Sequence, residues 1–232
     1  TIPTFITMKT QELIFFATNI VLISVSVYSC IIKWFFRPKA YRAHFDRLFP
    51  GQFWVGLLFL LQLLEIPYMF EIENVKALRY ANAFSLLLTP PIMLVICRKY
   101  FFPKKKQPRF ELLMFIPAIV LFIVFLLRVT GTLVLSEIGR NVVIWGAFAV
   151  FMLFFVMTVN MGIKIKRLSK GIDSLEYSDS QDFSHTFANY VMRLPTLLCI
   201  VLAVNYLCND QWVKFVIDIF LIIVTIGFVL FT

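Results

Sequence analysis

Seven apolar stretches divide this chain, and each is close to the length that crosses a bilayer. They run over about residues 13–36, 53–70, 81–100, 111–128, 141–163, 191–207 and 212 to the end. A transmembrane helix needs roughly 20 such residues. Lipid offers the backbone no hydrogen-bond partners, so runs of this length fold as helices. The predicted fold is therefore an all-α integral membrane protein, one domain forming a bundle of seven transmembrane helices. Composition agrees: 60% of the chain is hydrophobic and 15% charged, against about half and a quarter in soluble domains.

The loop that orients this array is Phe101-Phe102-Pro103-Lys104-Lys105-Lys106-Gln107-Pro108-Arg109. Four of its nine residues are basic and two are prolines, which forbid a continuous helix. Short Lys- and Arg-rich loops are retained in the cytoplasm. With this loop inside, the alternation of spans places 16 of the 22 basic residues on the inner side. These are Lys33, Arg37, Lys39, Arg42 and Arg47, then Arg98, Lys99, Lys104, Lys105, Lys106 and Arg109, then Lys164, Lys166, Arg167, Lys170 and Arg193. Five fall outside (Lys9, Lys76, Arg79, Arg140 and Lys214), and Arg128 sits at the outer end of span four. The expected topology is N-terminus out and C-terminus in. The net charge of +9 is then topogenic and needs no nucleic acid to explain it. The first run is too long for a cleaved signal peptide and has its basic residues at the far end.

Between spans one and two, Tyr41, Phe45 and Leu48 recur at helical spacing. This segment reads either as an interfacial helix or as a plain basic loop. The segment 164–190 reads as the longest loop. Cys208-Asn209-Asp210 forms a tight turn that makes spans six and seven a hairpin. The chain starts at Thr1, with its first Met at position 8, and stops at Phe231-Thr232 straight after an apolar run. Both ends read as cut, with residues 1–7 an upstream remnant and a C-terminal part expected to follow in the cytoplasm.

Chemistry is sparse. Cys30, Cys97, Cys199 and Cys208 form no CxxC pair, and His44 and His185 both fall in loops. No metal or cofactor is expected, and no disulfide framework. No HExxH, GxSxG or His-rich box occurs, so no enzyme is expected. A retinal-type pigment needs a lysine deep in span seven, and Lys214 is near its start.

Polar residues inside spans are costly and mark functional positions by default. Gln62 and Glu65 in span two, Asn82 in span three, Asn205 in span six and Asp218 in span seven all fall in outer portions. Arg128 ends span four near the same level. Two readings stay open. In one, Glu65 pairs with Arg128 and Asp218 with Lys214, as structural ties between helices. In the other, these residues line an outward-facing cavity that binds an unidentified ligand. A transport route would want polar groups in the inner halves as well, where only Asn160 and the boundary residue Glu111 are noted. Pro90-Pro91 should break or kink span three near its middle, as a packing feature or as a hinge.

Seven spans, the first loop Arg37-Pro38-Lys39-Ala40-Tyr41-Arg42, the segment 177–188 before span six and Asp210-Gln211-Trp212-Val213-Lys214 opening span seven form one arrangement. It resembles the membrane-embedded N-terminal sensor regions of Bacteroidetes transcriptional regulators of the AraC helix-turn-helix type. The resemblance implies a multi-pass protein of the bacterial inner membrane that passes a signal to a cytoplasmic domain. Its partners would be the lipid bilayer, a ligand and DNA, the last only through that missing domain. A homodimer is among the assemblies the reading admits. A sensor-kinase module is the near variant, and a small-solute transporter or channel-like protein is the rival.

Overall fold

The structure, a computed structural model, describes residues 10–35, 52–66, 75–102, 113–134, 136–173, 185–208 and 210–231. Among these residues the chain is entirely helical and contains no strand. The helices are α1 (Thr10–Phe35), α2 (Gln52–Leu60), α3 (Val75–Phe101), α4 (Ile116–Val129), α5 (Glu137–Asp173), α6 (His185–Cys208) and α7 (Gln211–Phe231), and a 3-10 turn over Leu61–Glu65 continues α2. Each falls on one of the seven apolar stretches. Two stretches, Glu12–Phe35 and Glu137–Arg167, are long and apolar enough to cross a membrane. Phe53–Leu64, Ile116–Leu127 and Arg193–Cys208 are apolar but shorter. The basic segments 36–51 and 103–112 lie outside the described residues, as does 174–184. The interfacial helix considered for the first loop therefore lies outside them too.

Helix ends differ from the sequence expectation for physical reasons. The long loop expected over 164–190 is shortened from both sides, because α5 runs on to Asp173 and α6 begins at His185. Polarity marks where a helix leaves an apolar medium, and it does not stop a helix. Lys164, Lys166, Arg167 and Lys170 are good helix formers, and their charge suits a helix C-terminus. Likewise α3 starts at Val75, six residues before the expected Ala81. Span two ends differently. Pro67 has no N–H to offer the Leu63 carbonyl; the Ile66 N–H takes that carbonyl instead, which tightens the chain into 3-10 geometry.

Caps fix two of the starts. Ser136 Oγ accepts the Gly139 N–H at 3.1 Å at the head of α5. Asp210 Oδ1 accepts the Trp212 and Val213 N–H groups at 2.8 and 3.1 Å at the head of α7. Both are N-cap geometries; the tight turn expected over 208–210 includes Asn209, which lies outside the described residues. At the end of α4, Gly131 takes a φ of 73°, a region that glycine enters at little cost.

α3 is the hub. It packs against α2, α4, α5 and α6. Leu86, Ile92 and Val95 are sealed inside. Pro90 and Pro91 are also fully buried, and α3 runs through them without interruption. Of the expected break or kink, the break is absent, because close packing holds the helix together where two ladder hydrogen bonds are lost. α4 is peripheral, with Ile119, Val120, Phe122 and Ile123 about half exposed.

Ring contacts set which helix ends are level. Phe15 of α1 meets Trp212 and Phe215 of α7 at 5.2 and 5.8 Å, so these two helices run parallel from a shared end. At the other end, Trp34 of α1 stacks on Phe53 of α2 at 5.6 Å, and Trp54 stacks on Phe115 before α4 at 5.6 Å. Lys99 of α3 lies 5.7 Å over the Trp54 ring, a cation–π contact.

Trp34 also lies on Gly56, where any added methyl would run into the indole. Its Nε1 donates to the Phe53 carbonyl at 3.3 Å. Gly56→Ala should therefore part α1 from α2. We expect a loss of about 1–3 kcal/mol, measured as a lower Tm in detergent. Gly146→Ala, in the middle of α5, where a methyl meets nothing within 4 Å, should not lower the Tm, since alanine favours the helix over glycine, and serves as the control.

Candidate functional site

The structure joins Asn82, Asn205, Asp218 and Lys214 into two pairs near one end of the bundle. In the first, Asn205 Nδ2 of α6 donates to Asn82 Oδ1 of α3 at 3.1 Å, with both residues buried. Beside it, Tyr206 Oη donates to the Ile144 carbonyl of α5 at 2.8 Å. Three helices are thus tied at one level. Asn82 Nδ2 has no hydrogen-bond partner.

In the second pair, Lys214 Nζ donates to Asp218 Oδ1 and Oδ2 at 3.2 and 3.3 Å. The pair spans one turn of α7, as the i, i+4 spacing predicted. Lys214 is 2% exposed and Asp218 1%, so the charges are buried as well as matched. α6 ends at Cys208 and α7 begins at Gln211, so Asn205, in the last turn of α6, and Lys214, in the first turn of α7, put both pairs at the same end.

The remaining predictions fare differently. Gln62 is half-buried on the 3-10 turn. The side chains of Glu65 and Arg128 lie outside what the structure describes, and so does their expected pairing. Asn160, noted for the inner half, is exposed.

Sequence reasoning missed a polar face on α1. Phe15, Asn19, Leu22, Ser26, Ser29 and Lys33 are all buried. Their spacing of four and three residues is that of a coiled-coil seam. On α7 the buried residues Lys214, Asp218, Leu221 and Thr225 follow the same spacing. The two faces meet: Phe15 touches Phe215, and Leu22 joins Ile217 and Leu221 in one apolar cluster. Asn19 is therefore level with Asp218, and Ser26 with Thr225.

Several of these groups satisfy themselves within their own helix. Asn19 Nδ2 donates to the Phe15 carbonyl at 2.9 Å, and Ser29 Oγ to the Val25 carbonyl at 2.7 Å. Thr158 Oγ1, in α5, donates to the Phe154 carbonyl at 2.9 Å. Asn19 Oδ1 and Ser26 Oγ, however, are buried without a partner. The signal was present in the sequence as the 4-3 spacing of small and polar residues through an apolar run. Average hydropathy conceals it.

A small cavity of about 10 Å³ lies between α3, α5 and α6, against Met93, Cys97, Thr158, Met161 and Pro195. That is room for about one water.

No family model, curated protein or solved structure matches the chain.

The Asn82–Asn205 bond should be measurable as a coupling. Asn205→Leu leaves Asn82 with neither amide atom engaged and should destabilise the bundle. The double change with Asn82→Leu should cost less than the sum of the single changes, by about 0.5–2 kcal/mol. Thermal unfolding of the four proteins in one detergent reads this directly, and additive losses would mean the bond contributes nothing.

Proposed function

We propose that the chain is the membrane-embedded sensor module of a signalling protein, with seven spans, its N-terminus outside and its C-terminus in the cytoplasm. The observation that carries the membrane part is an inverted polarity. Asn19, Ser26, Asn82, Asn205, Lys214 and Asp218 are buried, while large apolar side chains such as Tyr28, Leu153, Val216 and Ile223 face outward. A soluble domain has the reverse arrangement, whereas lipid is a fit solvent for such an exterior. The level helix ends support the alternation of spans. Trp34, Trp54 and Lys99 gather at the end expected inside, where Trp and Lys suit the headgroup region.

The sensing part rests on the outer polar level. Two buried polar pairs there tie α3 to α6 and hold charge in α7 against α1. A ligand that competed for either pair would shift α6 or α7, the last elements before the cytoplasm. The resemblance to the sensor regions of AraC-type regulators in Bacteroidetes supports transcription regulation as the output, through a DNA-binding or kinase domain beyond this chain. A small-solute transporter is the second reading. It gains from Ser26, Ser29, Lys33 and Thr225, which supply the buried polar groups in the inner half that such a route requires.

Two measurements test this reading. A reporter enzyme fused after Thr232 should be active in the cytoplasm, and periplasmic activity would overturn the topology. The reading frame past Thr232 should encode a helix-turn-helix or a kinase. A stop codon, or further spans, would end the sensor reading in favour of transport.

A further inference from the structure

Asn19 and Asp218 are both buried and lie at one level of the seam between α1 and α7. They are bracketed by the Phe15–Phe215 contact toward the shared end and by the Leu22–Leu221 cluster one turn beyond. Asn19 is 3% exposed; its amide nitrogen is spent on its own helix and its Oδ1 is left without a partner. A buried unsatisfied acceptor is costly. Beside it is a carboxylate, and both of its oxygens face a lysine ammonium. The level thus presents hard oxygen ligands, one of them negative, and a cation supplied by the chain itself.

We propose that this level binds a small monovalent cation between Asn19 Oδ1 and the Asp218 carboxylate, with the Lys214 ammonium as its built-in competitor. The described state is the one in which lysine holds the carboxylate. Carbonyl and carboxylate oxygens suit hard cations. A single carboxylate balances one positive charge and leaves a divalent ion uncompensated. Phe15 above and Leu22 below close the level to anything as large as an organic cation. Lys214 lies one turn into α7, and its four-carbon stem can carry the ammonium out toward water when a cation replaces it. The exchange replaces one positive charge beside Asp218 with another.

The proposal deepens the ligand-site reading above and rests on it only for the face from which the cation arrives. Binding by the purified protein tests the site alone. The full chain in detergent is heated in sodium chloride and in choline chloride of equal ionic strength, and sodium retention is measured by equilibrium dialysis. Lys214→Met removes the competitor. This variant should melt earlier than wild type in choline and recover in sodium, with sodium affinity at least about tenfold above wild type. Adding Asn19→Leu to it should weaken retention, and Lys214→Met with Asp218→Asn should abolish it. If Lys214→Met does not fold in choline, dialysis of the wild type against that double variant decides the matter. Equal retention by proteins with and without the carboxylate overturns the proposal, as does a Tm of Lys214→Met that rises equally in both salts. Either failure leaves the fused-reporter and reading-frame results standing.

Discussion

A polar side chain inside an apolar bundle costs free energy until it finds a partner, and that requirement fixes how these helices sit. The Asn205–Asn82 bond sets α6 against α3, and the Tyr206–Ile144 bond sets α6 against α5. Apolar packing alone tolerates sliding of one helix along another, because one leucine fits a hole much like the next. A hydrogen bond between two named atoms does not tolerate it. The hub helix α3 and its neighbours are held in register by two such bonds near one end.

The α1–α7 seam works on a different basis. Its charged pair, Lys214 with Asp218, spans one turn of α7. Register comes from the matched 4-3 spacing of both helices and from aromatic edges at their shared end. This leaves the seam with polar groups that are not consumed by holding it together. Asn19 Oδ1 and Ser26 Oγ are open acceptors in a place where apolar residues would pack more cheaply. Polar groups that serve no packing need are the ones to suspect of function.

The positions of all seven helices were legible in the sequence, since an apolar run of sufficient length has few other folds available. Their ends were less so. The run shows where the chain leaves an apolar medium, and α5 continues ten residues beyond that point. The Lys214–Asp218 pair was legible because both partners lie on one helix, where spacing alone brings them together. The Asn82–Asn205 bond was not, although both residues had been singled out, because a sequence does not show which helices are neighbours. The polar face of α1 was overlooked for another reason. One asparagine and two serines hardly alter the apolarity of 26 residues, and only their angular agreement around the helix gives them away. Of the break or kink expected at Pro90-Pro91, the break did not occur, because a lost hydrogen bond is a local defect, whereas the packing around α3 acts along its whole length.

The Trp34 indole lies flush on the glycine of α2 and clamps one end of α1 there. Near its opposite end α1 meets α7 through Phe15 and Leu22, with Asn19 between them. A rod held fast at one point and pushed at the other does not slide; it swings. With Trp34 as fulcrum, a displacement at Asn19 becomes an angular motion of α1. A piston stroke along the bundle axis would first have to free the indole from its seat.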